Sequence, residues 1–383
     1  MENARTQFTP GKLWPDDTGT HINAHGGGIL LNEGVFYWFG EHKIAGEAGN
    51  VAHVGVHCYT STDLYNWKDA GIALPVSDDP ASEITAGCIL ERPKVLYNAK
   101  TNHFVMWFHL EWKGQGYNTA RVGVAVADRP TGPYTFLHSF RPNAGCWPIN
   151  VTAEERQAID DASLMAEMRG FRGGGGPDPA AVRFPFWARD FANGQMSRDM
   201  TLFEDDDGAA YHFCASEENG TLHISQLSDD YLGTTGKYTR VFDKRWHEAP
   251  AVCKHNGRYW MITSDCTGWA PNAARLATAG SIWGPWRELG NPTEGINPDN
   301  GIGPEKTFGG QSTYILAVPG KADAFIAMFD LWRPENAMDG RYLWLPMRFE
   351  DDKPVITWQS AWDLSVFDDD PRSDRPHSPP ARR

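Results

Sequence analysis

No segment of this sequence is both long and apolar enough to cross a membrane as a helix, because charged residues, Gly and Pro interrupt every hydrophobic run. The opening residues "MENARTQFTPGKLWPDD" carry no apolar stretch of the kind a secretory signal requires. The expectation is a cytoplasmic protein if Met1 is the native start, and otherwise a secreted or periplasmic one with its signal removed. Cysteine is sparse: Cys58, Cys88, Cys146, Cys214, Cys253 and Cys266 lie far apart, with no CxxC pair and no zinc-ligand spacing. Most sit within or beside apolar strand patterns, so buried free thiols are expected in place of a disulfide frame or zinc site. Blocks of Lys and Arg are also missing, and the net charge is -14. Nucleic acid and anionic membrane are therefore excluded as expected partners, and oligomeric state is not legible.

What the sequence has in quantity is aromatic residues, 12% of the chain with 16 Trp, together with 39 Gly and 26 Pro. Short aromatic segments separated by Gly, Pro, Asp and Asn point to an all-β protein with many turns. Most of these rings are expected in the core, but surplus Trp and Tyr also suit stacking against the C–H face of a sugar.

One phrase recurs: a polar opening residue, a strand, a polar turn, an aromatic strand, and a third strand ending in a turn. It begins at "GGGILLNEGVFYWFGE", "ERPKVLYNAKTNHFVMWFHLEW", "RDMTLFEDDDGAAYHFCASEEN", "EAPAVCKHNGRYWMITSDCTGW" and "GQSTYILAVPGKADAFIAMFDLW". Each copy has hairpin chemistry between its first two strands, as in Asn32-Glu33-Gly34 or His255-Asn256-Gly257. Five units of three to four strands imply a five-bladed β-propeller, which leaves only short, protected edges. A β-sandwich is the second choice, but it does not predict such regular recurrence. The expected layout is an N-terminal extension over 1–19, a propeller over 20–367 and a disordered tail over 368–383. An insertion over about 138–196 precedes the third unit. In it, Thr152, Glu154 and Glu155 resemble a helix start, Ile159, Leu164 and Met165 allow a short helix, and Gly173 to Gly176 form a turn. A loop of this length suggests function, and it is expected to wall one side of a pocket mouth.

In a propeller the innermost strands begin near the central axis, so residues opening successive blades converge. Those residues are His25 with its following glycines, then Glu91, Asp199, Glu248 and Gln311. Buried carboxylates are costly unless paired or used, and their convergence points to a site.

The phrases "INAHGGGIL", "YWFGE", "STDLYNW", "ERPKVLYN", "RDMTLFEDDDG", "EAPAV", "TGWAPNAA", "GGQSTYIL" and "WLP" run in order from about Thr20 to Phe367. In them the sequence resembles glycoside hydrolase family 43, in the branch of the exo-β-1,3-galactanases. The insertion resembles a sister subfamily in which galactosidase, α-L-arabinofuranosidase and β-D-galactofuranosidase activities occur. The resemblance implies a five-bladed propeller and an exo-acting, inverting enzyme that releases terminal galactose-type sugars from oligosaccharide or polysaccharide side chains. Inversion calls for carboxyl groups about 6.5–9.5 Å apart, to admit the attacking water. Glu248 matches the acid that protonates the leaving oxygen, and Asp199 the carboxylate that raises its pKa. The base aspartate usual in the first blade is absent, its place taken by Ala24, His25 and glycines. In the galactanase branch a glutamine stands at the base position, and Gln311 matches it. It would orient water or act as an imidic-acid tautomer, with Glu91 helping to carry the proton and His25 a further candidate.

The same matching gives Glu41, Tyr117, Glu218, Asn219, Thr267 and Trp269 as substrate-binding candidates beside His25. Asn272 to Arg275 could line the rim, while Asp205 to Asp207 read as a solvated turn because the spacing lacks EF-hand ligands. Many family members hold a metal with an axial histidine of the fifth blade. Gln311 stands at that point here, so no cofactor is expected and a central calcium is disfavoured. A competing class, a carbohydrate-binding propeller without catalysis, would follow from the missing aspartate. Retention of both Glu248 and Asp199 argues against it.

Overall fold

The structure, a computed structural model, describes residues 4–157, 185–321 and 323–368. Five antiparallel sheets follow one another along the chain. The first holds β1 (His25–Asn32), β2 (Val35–His42), β3 (Gly55–Ser61) and β4 (Lys68–Pro75), and the second β5 (Ile89–Asn98), β6 (His103–Glu111), β7 (Arg121–Ala127) and β8 (Thr135–Phe140). The third holds β9 (Met200–Glu204), β10 (Ala210–Ser216), β11 (Thr221–Leu227) and β12 (Thr234–Val241), and the fourth β13 (Glu248–His255), β14 (Arg258–Ser264), β15 (Arg275–Ala279) and β16 (Arg287–Gly290). In the fifth, β18 (Gln311–Ala317), β19 (Phe325–Leu331), β20 (Arg341–Glu350) and β21 (Lys353–Thr357) are joined at the edge by the short parallel strand β17 (Thr293–Glu294). The all-β, five-bladed propeller expected from the repeat is the fold.

Middle strands such as β6 and β10 are buried along almost their whole length, because each blade is covered on both faces by its neighbours. They therefore read as continuous apolar runs, whereas the outer strand β12 alternates along its first half. One apolar core lies at each junction. Phe39 and Phe108 meet between the first and second blades, Trp107 and Met200 between the second and third, and Phe213 and Met261 between the third and fourth. Ile262 and Phe329 meet between the fourth and fifth, and Trp38 and Trp344 close the ring. The hairpins follow their turn chemistry, with Glu33 and Gly34 (φ 50° and 78°), and Asn256 and Gly257 (φ 49° and 72°), in the left-handed pairs that type I′ turns require.

The N-terminal stretch fastens the closure. Phe8 exchanges backbone hydrogen bonds of 2.7 and 3.1 Å with Trp362, and the two rings pack with centroids 4.3 Å apart. Trp362 is 2% exposed and its indole donates to the Trp344 carbonyl at 2.8 Å. Trp362→Ala is expected to lower unfolding stability by about 3–5 kcal/mol, the usual cost of emptying a buried Trp site. Urea titration followed by tryptophan fluorescence measures this; a loss under about 1 kcal/mol would show that the closure is made elsewhere.

Ahead of the third blade, Thr152 opens a short helix (Ala153–Gln157) with reciprocal hydrogen bonds to Glu155, a capping box. Ile159, Leu164, Met165 and Gly173 to Gly176 lie outside the described residues, as does all of the tail except Asp368. The described parts of this segment lie against the outer strands of blade three. Ile149 bonds the backbone of Tyr238, Asn150 bonds Arg240, and Asn143 bonds Ser225.

Candidate active site

Four of the five inner strands are bulged where they start, the register slipping between His25 and Gly28, Glu91 and Lys94, Glu248 and Ala251, and Ser312 and Tyr314. Gly26, Arg92 and Ala249, each one residue past an opening position, have φ of 62°, 56° and 51°. A bulge with a left-handed residue turns the side chain beside it away from the sheet face. Here it aims Glu91 and Glu248 toward the axis, where a cavity of about 640 Å³ opens.

That cavity is lined by every expected catalytic and substrate-binding residue except His25: Glu41, Glu91, Tyr117, Asp199, Glu218, Asn219, Glu248, Thr267, Trp269 and Gln311; Asn272 to Arg275, expected at the rim, do not line it. His25 corrects the expectation. It is wholly buried behind the pocket, stacked on Tyr342 at 5.3 Å, and its pKa is held well below the ordinary value by burial. Its neighbour Gly340 leaves the ring its space, since a Cβ there would fall 2.6 Å from the imidazole. A buried ring that does not line this cavity is not placed to meet a substrate there. The described part of the insertion contributes no lining residue either, so it braces the site from outside: Arg189 donates to Glu218 at 2.8 Å.

The carboxylates are held in different states. Desolvation, and then the charge of Asp199, pushes Glu248 up to about 8, so it keeps its proton at neutral pH. Asn219 Nδ2 holds its Oε1 at 2.8 Å, and the thiol of Cys266 is hydrogen-bonded to the same carboxyl group. Asp199 receives a charged hydrogen bond of 2.9 Å from Arg92. Glu91 goes the other way. Its two oxygens meet His109 Nδ1 at 3.0 Å and the Tyr117 hydroxyl at 2.8 Å, and these bonds outweigh burial and bring it down to about 2. His109 is sandwiched between Glu91 and the buried Glu111, 3.0 Å from each, and is raised to about 9 by them against burial. Glu41 is desolvated, which raises its pKa; its Oε1 accepts from the Arg92 backbone at 2.9 Å and it pairs with Lys43.

Gln311 is fixed by its partners. Its Oε1 accepts from Arg92 Nη2 at 2.7 Å and Trp332 Nε1 at 2.9 Å, while its Nε2 donates to Ser264 Oγ at 2.9 Å. Arginine and tryptophan only donate, so the amide oxygen must face them, and both its lone pairs are taken. An imidic-acid form would place a proton on that oxygen against both donors, which speaks for orientation over an imidic-acid relay. Glu217, Glu218 and Asn219 follow β10 as a run of three left-handed residues (φ 52°, 58° and 69°). That costly turn is anchored by the buried Glu217, which binds Arg240 and His223. Thr267 builds its own loop through Asn272, and Trp269, 42% exposed, meets Trp332 edge-on at 5.8 Å.

The profile of "Glycosyl hydrolases family 43" matches residues 185–303. A solved family 43 β-1,3-galactosidase, BT3683 with galactodeoxynojirimycin, is 52% identical over 93% of this chain and 100% of its own, with a TM-score of 0.86. This chain belongs to glycoside hydrolase family 43. The exo-β-1,3-galactanase of Phanerochaete chrysosporium, solved with galactose, is 32% identical over 94% of this chain and 69% of its own, with a TM-score of 0.73. An exo-β-1,3-galactanase from Clostridium thermocellum is 32% identical over 93% and 66%, with a TM-score of 0.72. No curated protein matches the sequence.

The donor set of this family 43 pocket does not suit a resident metal. Ligand atoms of Glu91, His109 and Asp199 do lie within 4.8 Å of one another. Yet both His109 nitrogens are committed to carboxylates, and the Arg92 guanidinium already sits on Asp199. A metal would have to displace a tightly held proton and face a fixed cation. Sequence reasoning missed Arg92, Lys43, Arg198, Cys266, Trp246 and Trp332, all of which line the cavity. Arg92 had a signal, since it directly follows the opening residue Glu91. Trp332 had none, because it follows β19 at the far end of a hairpin.

Proposed function

We propose that this glycoside hydrolase is an exo-acting, inverting β-galactosidase of the exo-β-1,3-galactanase type, removing terminal galactose from galactan-like side chains. The observation that carries the mechanism is the divergence of two pocket carboxyl groups, Glu248 pushed up to about 8 and Glu91 brought down to about 2. Environments that drive two carboxyl groups apart assign an acid and a base. Glu248 protonates the leaving oxygen. Glu91, always ionised, accepts the proton of the attacking water, whose position Gln311 helps fix. Asp199 keeps Glu248 protonated through its charge and is itself steadied by Arg92. The substrate choice is supported by the β-1,3-galactosidase and exo-β-1,3-galactanase relatives. Exo action is supported by the exo-β-1,3-galactanase relatives and by a cavity of about 640 Å³, within the range of small-ligand sites. No cofactor takes part in this scheme.

The pH profile tests the acid. The active form needs protonated Glu248, so kcat/KM is expected to hold through neutral pH and fall about tenfold per unit once pH rises past about 8. In Asp199→Asn the like charge is gone, so the falling limb should move to lower pH; an unmoved limb would remove Asp199 from that role.

A further inference from the structure

The glycines at the start of β1 have a physical purpose on the axis. A Cβ on Gly28 would fall 2.6 Å from Lys94 Cδ, and one on Gly26 would meet Glu41 and Arg92. Lys94 of the second blade therefore occupies space that Gly28 of the first blade leaves empty. Lys94, 2% exposed, donates to the Gly26 carbonyl at 2.9 Å and to the Arg92 carbonyl at 3.3 Å. The Gly26 amide is in turn held by the buried Asp330 of β19 at 3.1 Å, and the Arg92 amide by Glu41 at 2.9 Å. Above this layer, Arg92 spends its guanidinium on Ser312 O at 3.0 Å, Asp199 at 2.9 Å and Gln311 at 2.7 Å. Four blades, the first, second, third and fifth, are thereby tied together at the point where they converge.

We propose that Lys94 is a positioning residue of the active site, its amine bridging Gly26 and Arg92 on the propeller axis and so fixing the guanidinium that orients Gln311 and Asp199. Lys94 does not line the cavity and does not meet substrate. Burial and the Arg92 charge draw it down to about 7, while Asp330, Glu41 and Asp199 pull the other way. Either protonation state has hydrogens for both carbonyls, so the bridge does not depend on that balance.

The inference rests on the reading of the pocket as a galactose-releasing site, and one assay separates the two. Galactose release from β-1,3-galactobiose is measured for wild type, Lys94→Met and Lys94→Ala, with thermal melting of each. Wild type that releases nothing would sink the functional reading. Given active wild type, Lys94→Met is expected to lose at least tenfold in kcat with KM changed less than threefold, while still melting cooperatively. Lys94→Ala leaves a hole for a small amine, and ethylammonium chloride should restore its kcat several-fold where equimolar sodium chloride does not. Two results would overturn the inference alone: Lys94→Met turning over within twofold of wild type, or Lys94→Ala inactive and unresponsive to ethylammonium.

Discussion

Glu248→Gln abolishes release of galactose from natural β-1,3-galactosides while the propeller stays folded. Glutamine keeps the shape of the side chain and can still meet Asn219, but it has no proton to give the leaving oxygen. General acid catalysis is worth about 10²–10⁴-fold, and a sugar alkoxide is a poor leaving group, so the loss should fall at the upper end. The loss must also depend on the leaving group. A dinitrophenyl galactoside departs without protonation, so the variant should retain far more of its activity on it. The comparison of kcat/KM on both substrates, with the melting temperature as control, checks this. Equal losses on the two would take Glu248 out of the acid role. Stability is not expected to fall, because a carboxyl group driven up to about 8 by desolvation is costly in its charged form.

The second large effect concerns water activation. Glu91→Ala is expected to lose about 10²–10⁴-fold on the same substrates. His109 would lose one of its two carboxylate partners but keep Glu111, so the buried imidazolium stays paired. Sodium azide needs no base. It should attack the anomeric carbon from the water's side as Glu248 protonates the departing oxygen, restoring turnover and giving α-galactosyl azide. If a cooperatively melting Glu91→Ala ignores azide, the missing function is not that of a base. Gln311→Ala should then be probed the same way, although its occupied oxygen argues that it orients and does not accept.

The fold was legible because a propeller writes its symmetry into the chain: five copies of one turn-strand-turn phrase, even with an insertion before the third, admit few other architectures. Positions at strand starts were legible for the same reason, since topology alone brings Glu91, Asp199, Glu248 and Gln311 to the axis. His25 was misread because the bulge at Gly26 turns the chain between it and the axis, and bulges do not show in an alternation pattern. Its ring ends against Tyr342 and Gly340, which lie more than three hundred residues away in the sequence. Arg92 and Lys94 of "ERPK" are both buried and organise the centre. Their importance depends on glycines in another blade, a complementarity of space that no local pattern carries. The insertion was read as a pocket wall from its length; the side chains that settle its described portion, Arg189 against Glu218, are an ion pair across distant segments.

The measurement that bears most directly on the whole account is proton NMR of β-1,3-galactotriose during the first minutes of hydrolysis, before mutarotation. The account predicts free galactose appearing first as the α-anomer, with galactobiose as the other early product. Galactose appearing first as the β-anomer, or cleavage confined to α-L-arabinofuranosyl or β-D-galactofuranosyl oligosaccharides run in parallel, would contradict it.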